Sequence, residues 1–178
     1  MARAPQPYGG HVTALEYLQQ ILIPALSWFH KVVPSIPASE AEQLMLTVIP
    51  GQESDWSNVQ QANGGIARGF YQQQQNNLDD ILSNRATDAK AIMVCTTLGV
   101  QPTAAAVYAA LLGNTKLQVA FARLGLWADP EPLPAVGDEL AAWDTYLRCW
   151  RPGAPARARW AEVYPQALAA IQQGTQTV

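Results

Sequence analysis

The sequence predicts a mainly α fold, and three observations carry that expectation. The 49% hydrophobic fraction leans on alanine and leucine and is thin in Val-Ile-Thr runs, which favours helix over sheet. Apolar residues recur at three- and four-residue steps, as in Leu15, Leu18, Leu22, Leu26 and Phe29, which is one face of an amphipathic helix. Turn signals at Asn84, at Gly99 with Pro102, and at Gly113-Asn114 cut the later part of the chain into helix-length pieces. At 178 residues the chain is long enough to close one hydrophobic core without help from metal or disulfide. One domain over 11–178 is expected, after a flexible arm over 1–10 that carries two prolines and two glycines.

The first helix starts at His11, is kinked by Pro24, and ends at Val33-Pro34-Ser35-Ile36-Pro37, because a residue before proline is pushed out of the helical region. Ser39 and Glu42 form a capping box, opening a second helix through Leu44, Leu46, Val48 and Ile49 that places Glu53 near its end. Between Ser54 and Gln75 helical periodicity disappears. Tryptophan, asparagine, glutamine and glycines predict a loop with a short β-hairpin around Asn63-Gly64-Gly65. Helices are expected again at about 77–83, 87–98, 102–112 and 115–127. A stiff extended connector follows over Asp129-Pro130-Glu131-Pro132-Leu133-Pro134, then helices at about 137–150 and 158–173. There is no internal repeat, and the Gln72–Gln75 run is too short to act as low complexity.

Only 14% of residues are charged, with a net charge of -3 and a pI near 5.3, so no electrostatic footprint for nucleic acid or anionic lipid is present. The one basic cluster, Arg148, Arg151, Arg157 and Arg159, is interleaved with Trp150 and Trp160. It reads as a solvated turn with its tryptophans in the core, or else as a contact for substrate or partner. Cys95 and Cys149 show no zinc or redox spacing and read as two buried thiols rather than a disulfide. No stretch is apolar for long enough to span a membrane, and the N-terminus lacks the pattern of a secretory signal. No metal, cofactor or membrane insertion is expected.

Breaking a sugar–sugar bond requires a carboxylic acid kept protonated near neutral pH, and burial against apolar groups is the usual way to achieve that. Glu53 is placed for it, between the apolar run Leu44 to Ile49 and the polar, glycine-rich loop that begins at Ser54. Pro50 removes a helical hydrogen bond to the Leu46 carbonyl and is expected to bend the helix just before Glu53. Gln52-Glu53-Ser54-Asp55-Trp56, followed by Gly64-Gly65-Ile66-Ala67-Arg68-Gly69-Phe70-Tyr71-Gln72, resembles the lytic transglycosylase and goose-type lysozyme pattern within the lysozyme-like superfamily. In that pattern a Glu-Ser pair at a helix end is followed about twenty residues later by Gly-Ala-x-Gly-Leu-Met-Gln. The resemblance is good over 39–75 and extends to about 150. The family's Ala-Tyr-Asn element would fall near Val119-Ala120-Phe121-Ala122, where neither tyrosine nor asparagine stands. Its late tyrosine corresponds to Tyr146 or, alternatively, Tyr108.

The resemblance implies a lysozyme-like helical domain with a short hairpin or loop beside the cleft, and cleavage of bacterial peptidoglycan strands with Glu53 as catalytic acid. Ser54 and Gln72 would hydrogen-bond the acetamido or peptide groups of the substrate, and Phe70, Tyr71 and Trp56 would offer surfaces to sugar rings. Because strand side chains alternate, Phe70 and Gln72 are expected in the cleft and Tyr71 in the core. The candidates for a second carboxylate, Asp55, Asp79 and Asp80, are poorly placed in the sequence, which favours a one-glutamate transglycosylase over a two-carboxylate hydrolase. A chain of this kind looks like a bacteriophage product, located in the virion or the host cytoplasm and delivered to the wall by release or injection. The alternative is a virion or ejection protein, held by other phage virion proteins, that keeps the lysozyme-like fold with weak or no activity. A third reading is a helical binding module in which the Glu-Ser and Gly-Phe-Tyr-Gln segments coincide by chance.

Overall fold

The computed structural model describes residues 11–62 and 65–175, and over these the chain is mainly helical. The arm expected over 1–10, and Asn63 and Gly64 at the tip of the expected hairpin, lie outside the described residues. Helix α1 (Ala14–Tyr17) opens on a Thr13–Glu16 capping box. The chain then winds as a π-helix over Leu18–Leu22 and continues as α2 (Ile23–Val32). Pro24 accounts for the change, since it has no N–H for the carbonyl four residues back, and a wider turn accommodates the gap where a kink was expected.

Helix α3 (Glu40–Ser54) starts on the predicted box: Ser39 accepts the Glu42 N–H at 3.0 Å, and the Glu42 carboxylate accepts the Ser39 N–H at 3.4 Å. Glu42 does more than cap. It is fully buried, and its carboxylate also takes Arg123 Nε from α7 (Thr115–Trp127) and faces His30 Nε2 of α2 at 3.0 Å. Three helices therefore meet on one buried carboxylate.

After the loop come α4 (Gln75–Ser83), α5 (Asp88–Leu98), α6 (Ala104–Ala110) with a 3-10 turn at Leu111–Gly113, then α7, α8 (Glu139–Trp150) and α9 (Arg157–Thr175). Helix α7 is buried around most of its circumference, from Leu117 to Leu126, as a central core helix must be. It packs on α2 and α5, while α3 lies along α9. The buried side chains join into one connected cluster that draws on α1 through α9. Both thiols are free, Cys95 buried and Cys149 half-buried. Among the described residues no helix is long and apolar enough to cross a membrane.

The flanks of the expected hairpin do face each other. Gln60 bridges Arg68, and the Gln61 N–H reaches the Ala67 carbonyl at 2.9 Å. The pairing stays at isolated bridges, with no continuous strand among the described residues. Arg123 is 2% exposed, so Glu42→Gln leaves a buried guanidinium without an opposite charge. That variant is expected to lose ~3–5 kcal/mol in urea unfolding, and Glu42→Met with Arg123→Met to recover most of it. A single variant with the native midpoint would show that the pair contributes nothing.

Candidate active site

Helix α3 continues through Pro50, and the carbonyl that Pro50 leaves without an N–H partner, that of Leu46, accepts the Tyr71 hydroxyl at 3.0 Å. Tyr71 in turn accepts the Tyr17 hydroxyl at 2.7 Å, and both tyrosines are completely buried. The loop segment 69–72 is thereby fixed onto the helix that carries Glu53. Its backbone is held on other sides as well. Gln118 Oε1 accepts the Phe70 N–H at 2.9 Å, Ser54 Oγ donates to the Phe70 carbonyl at 2.7 Å, and Trp150 Nε1 donates to the Tyr71 carbonyl at 3.1 Å. Gly69 is required here, because its φ is +78° and a Cβ would stand 2.4 Å from Gln118 Oε1.

Glu53 lies at the last turn of α3 and lines a cleft of about 490 Å³. Across the cleft wall, the Tyr146 hydroxyl of α8 donates to Glu53 Oε1 at 2.6 Å. Tyr146 is held by its ring: Trp160 stacks on it with centroids 5.1 Å apart, and Trp143 lies 5.4 Å away. Burial raises the Glu53 pKa above the ordinary carboxyl value, and the Tyr146 hydrogen bond offsets part of that. Burial, reinforced by the Glu53 charge, pushes the Tyr146 pKa well up, so this hydroxyl remains a donor. With Oε1 occupied, Oε2 is the oxygen left to carry a transferable proton.

Of the residues predicted for the site, Glu53 and Gln72 share the cleft and Tyr146 reaches Glu53. The others do not line it. Segment 69–72 is a turn, not a strand, with positive φ at Gly69 and at Gln72 (47°), so side chains do not alternate. Phe70 is consequently buried, its ring edge-on to Tyr17 at 4.9 Å, and not beside Gln72 in the cleft. Tyr71 is in the core, as the sequence predicted. Trp56 is 2% exposed, with Nε1 donating to the Thr47 carbonyl at 2.9 Å, and offers no face to a sugar. Ser54 gives its hydroxyl proton to loop and helix carbonyls, Phe70 at 2.7 Å and Pro50 at 3.1 Å, which makes it a pin between loop and helix. Tyr108 donates to the Ile66 carbonyl at 2.7 Å under the Arg68 guanidinium, so it anchors the loop rather than Glu53. Gln72 uses both amide hydrogens on the Val59 and Gly69 carbonyls, at 3.0 and 2.8 Å. What it keeps for a ligand is its carbonyl oxygen, an acceptor.

Other residues line the cleft as well: Trp150 and Arg151, for which the sequence leaves contact with substrate or partner open, and Gln73 and Phe121, for which it gives no such role. Gln73 is 5% exposed and its Oε1 has no partner among the described residues. A usable signal exists in the backbone. The non-glycine residues with positive φ among those described are Asp55, Trp56, Gln72 and Arg151, two directly after α3 ends at Ser54 and two in the cleft wall. Such strain gathers where surrounding structure over-determines a site. Asp55 itself turns away to Arg159 and, at 3.4 Å, His11, which leaves Asp80 as the other carboxylate among the described lining residues. No group of three His, Cys, Asp or Glu side chains suited to a metal forms among the described residues. Compared with family models, with curated proteins and with solved structures, the chain matches none.

Two variants test this geometry. Tyr71→Phe strips the Leu46 carbonyl of its donor in a dry interior and is expected to cost ~1–3 kcal/mol in thermal unfolding; an unchanged melting temperature would show that the carbonyl finds another donor. Tyr146→Phe removes the bond that lowers the Glu53 pKa, so the carboxyl's titration, followed by carbon NMR, is expected to move to higher pH. A midpoint that stays or falls would remove Tyr146 from the site.

Proposed function

We propose that this chain cleaves the glycan strand of bacterial peptidoglycan, with Glu53 acting as both acid and base. The observation that carries the reading is the Tyr146–Glu53 hydrogen bond of 2.6 Å, which fixes a carboxyl of raised pKa on a cleft shared with Gln72. The resemblance of 39–75 to the lytic transglycosylase pattern supports the same reading from the sequence. In the first step Glu53 Oε2 gives its proton to the glycosidic oxygen as the bond to the anomeric carbon breaks. In the second, the muramic acid's own 6-hydroxyl attacks that carbon and returns its proton to Glu53, so a 1,6-anhydro end forms and no water is consumed. The Gln72 carbonyl oxygen suits an acetamido N–H. Asp80 is exposed and paired with Arg151 at 3.0 Å, which favours the one-glutamate route over one with a second carboxylate.

One observation favours the second reading, a phage particle protein of weak activity. Phe121, buried in the cleft wall, stands where the family pattern has Tyr-Asn, so no hydroxyl or amide is offered there. Zymography on peptidoglycan separates the two readings, and mass spectrometry of the products separates 1,6-anhydro ends from the reducing ends of hydrolysis.

The acid works only while protonated, so the rate is expected to fall as pH rises through the raised Glu53 pKa. Stability carries the same sign. A folded-state pKa above the ordinary 4.5 gives stability that is complete below pH 4.5 and lost as pH rises through the folded value. Glu53→Gln keeps the Tyr146 acceptor and cannot ionise. It is expected to release no product and to melt above the native chain at about pH 7, with the gap closing at about pH 4. Native lytic activity in this variant would exclude Glu53 as the acid.

A further inference from the structure

The Glu53 cleft does not end at its own walls. Asp80, Ile81, Gly125 and Arg151 line both it and a neighbouring cavity of about 460 Å³, so the two adjoin. Gly125 sits inside α7, where glycine is less stable than alanine. A Cβ there would meet nothing nearer than Ile81 Cδ1, at 3.6 Å, which is ordinary contact. Packing therefore does not call for glycine, and the space it leaves open lies where the two cavities adjoin. The charges beyond it fall into two pairs of different character. Arg148 and Asp129 pair at 3.0 Å with the aspartate side chain only 11% exposed and also taking the Cys149 thiol, so this pair is fixed. Arg151 and Asp80 also pair at 3.0 Å but are 66% and 61% exposed, a pair that contributes little to stability and exchanges readily.

We propose that the second cavity is a subsite for a zwitterionic peptide carried by the glycan strand, with Arg151 taking a peptide carboxylate, Asp80 a peptide ammonium, and Gly125 keeping the passage from Glu53 open. This rests on the glycan-cleaving reading of Glu53. A neutral ligand leaves the Asp80–Arg151 pair as it is, and a ligand of one charge strands the other partner. A ligand bearing both signs re-pairs both groups, which is the basis for selecting it. The left-handed backbone of Arg151, at φ 47°, places its guanidinium at the end of α8 beside the junction of the two cavities.

The test is calorimetric titration of the full chain carrying Glu53→Gln, so that strands are bound and not consumed. The two probes are glycan strands of equal length, one bearing its peptides and one stripped of them by an amidase. Peptide-bearing strands are expected to bind roughly tenfold more tightly, a preference that falls with salt. Asp80→Asn with Arg151→Gln is expected to equalise the two strands. Gly125→Gln is expected to melt no lower than its parent, yet to lose the preference, because a longer side chain fills the passage without disturbing the helix. Equal binding of both strands by the parent, or a preference that survives the double variant, overturns the subsite and leaves the glycan reading standing. A Gly125→Gln chain that melts lower overturns the role given to the glycine. Failure of both strands to bind overturns the glycan reading and the subsite together.

Discussion

The Leu46 carbonyl is the point on which the site is assembled. Pro50 denies it the usual partner one turn on, and a buried acceptor without a donor is costly. The Tyr71 hydroxyl meets that need at 3.0 Å and brings the loop with it. Once Tyr71 is seated, its neighbours have little freedom: Phe70 is clasped through both its N–H and its carbonyl, and Gln72 is left in a left-handed conformation at the cleft. A residue that weakens a helix in isolation thus supplies the attachment for the segment opposite Glu53.

The two sides of the cleft are held by different physics. On the loop side hydrogen bonds to backbone dominate, each of them directional. On the α8 side Tyr146 is placed by aromatic packing, with Trp160 stacked on one face and Trp143 nearby. Packing of that kind tolerates small slides, whereas the 2.6 Å bond to Glu53 does not. The buried Glu42–Arg123 pair, tied to α7, holds the other end of α3, so the helix bearing Glu53 is anchored at its start and at its finish.

Helices were legible in the sequence wherever burial has a period. The Ser39–Glu42 box, the breaks at Asn84 and Gly99, and the start of α7 after Asn114 all appear as expected, because caps and glycines act locally. The resemblance to the transglycosylase pattern points to Glu53, Gln72 and Tyr146; Glu53 and Gln72 line one cleft, and Tyr146 touches Glu53 directly. What was misjudged was orientation. Treating 70–72 as a strand assigned Phe70 to the cleft, but two positive φ angles turn the backbone so that Phe70 and Tyr71 both enter the core. The resemblance offers Trp56 to substrate, but the indole is buried, and its burial depends on Gly51, where a Cβ would stand 2.5 Å from it. Such long-range fits leave no periodic trace. The same holds for Glu42, whose cap role is local and visible while its pairing with Arg123 spans the fold.

The distribution of strain gives a last constraint. Left-handed φ at a bulky residue such as Trp56 is unfavourable, and the chain has it twice in succession, at Asp55 and Trp56, immediately after Ser54. This double turn is what ends α3 at Ser54 and sends the chain back so that the Trp56 indole lies under Gly51 and donates to Thr47. Because the helix stops there, the carboxyl is left at an edge, apolar helix behind it and open cleft ahead, and that position raises its pKa while keeping one oxygen accessible. The strain is thus tied to the acidity of Glu53 through geometry, and relaxing the turn would alter both together.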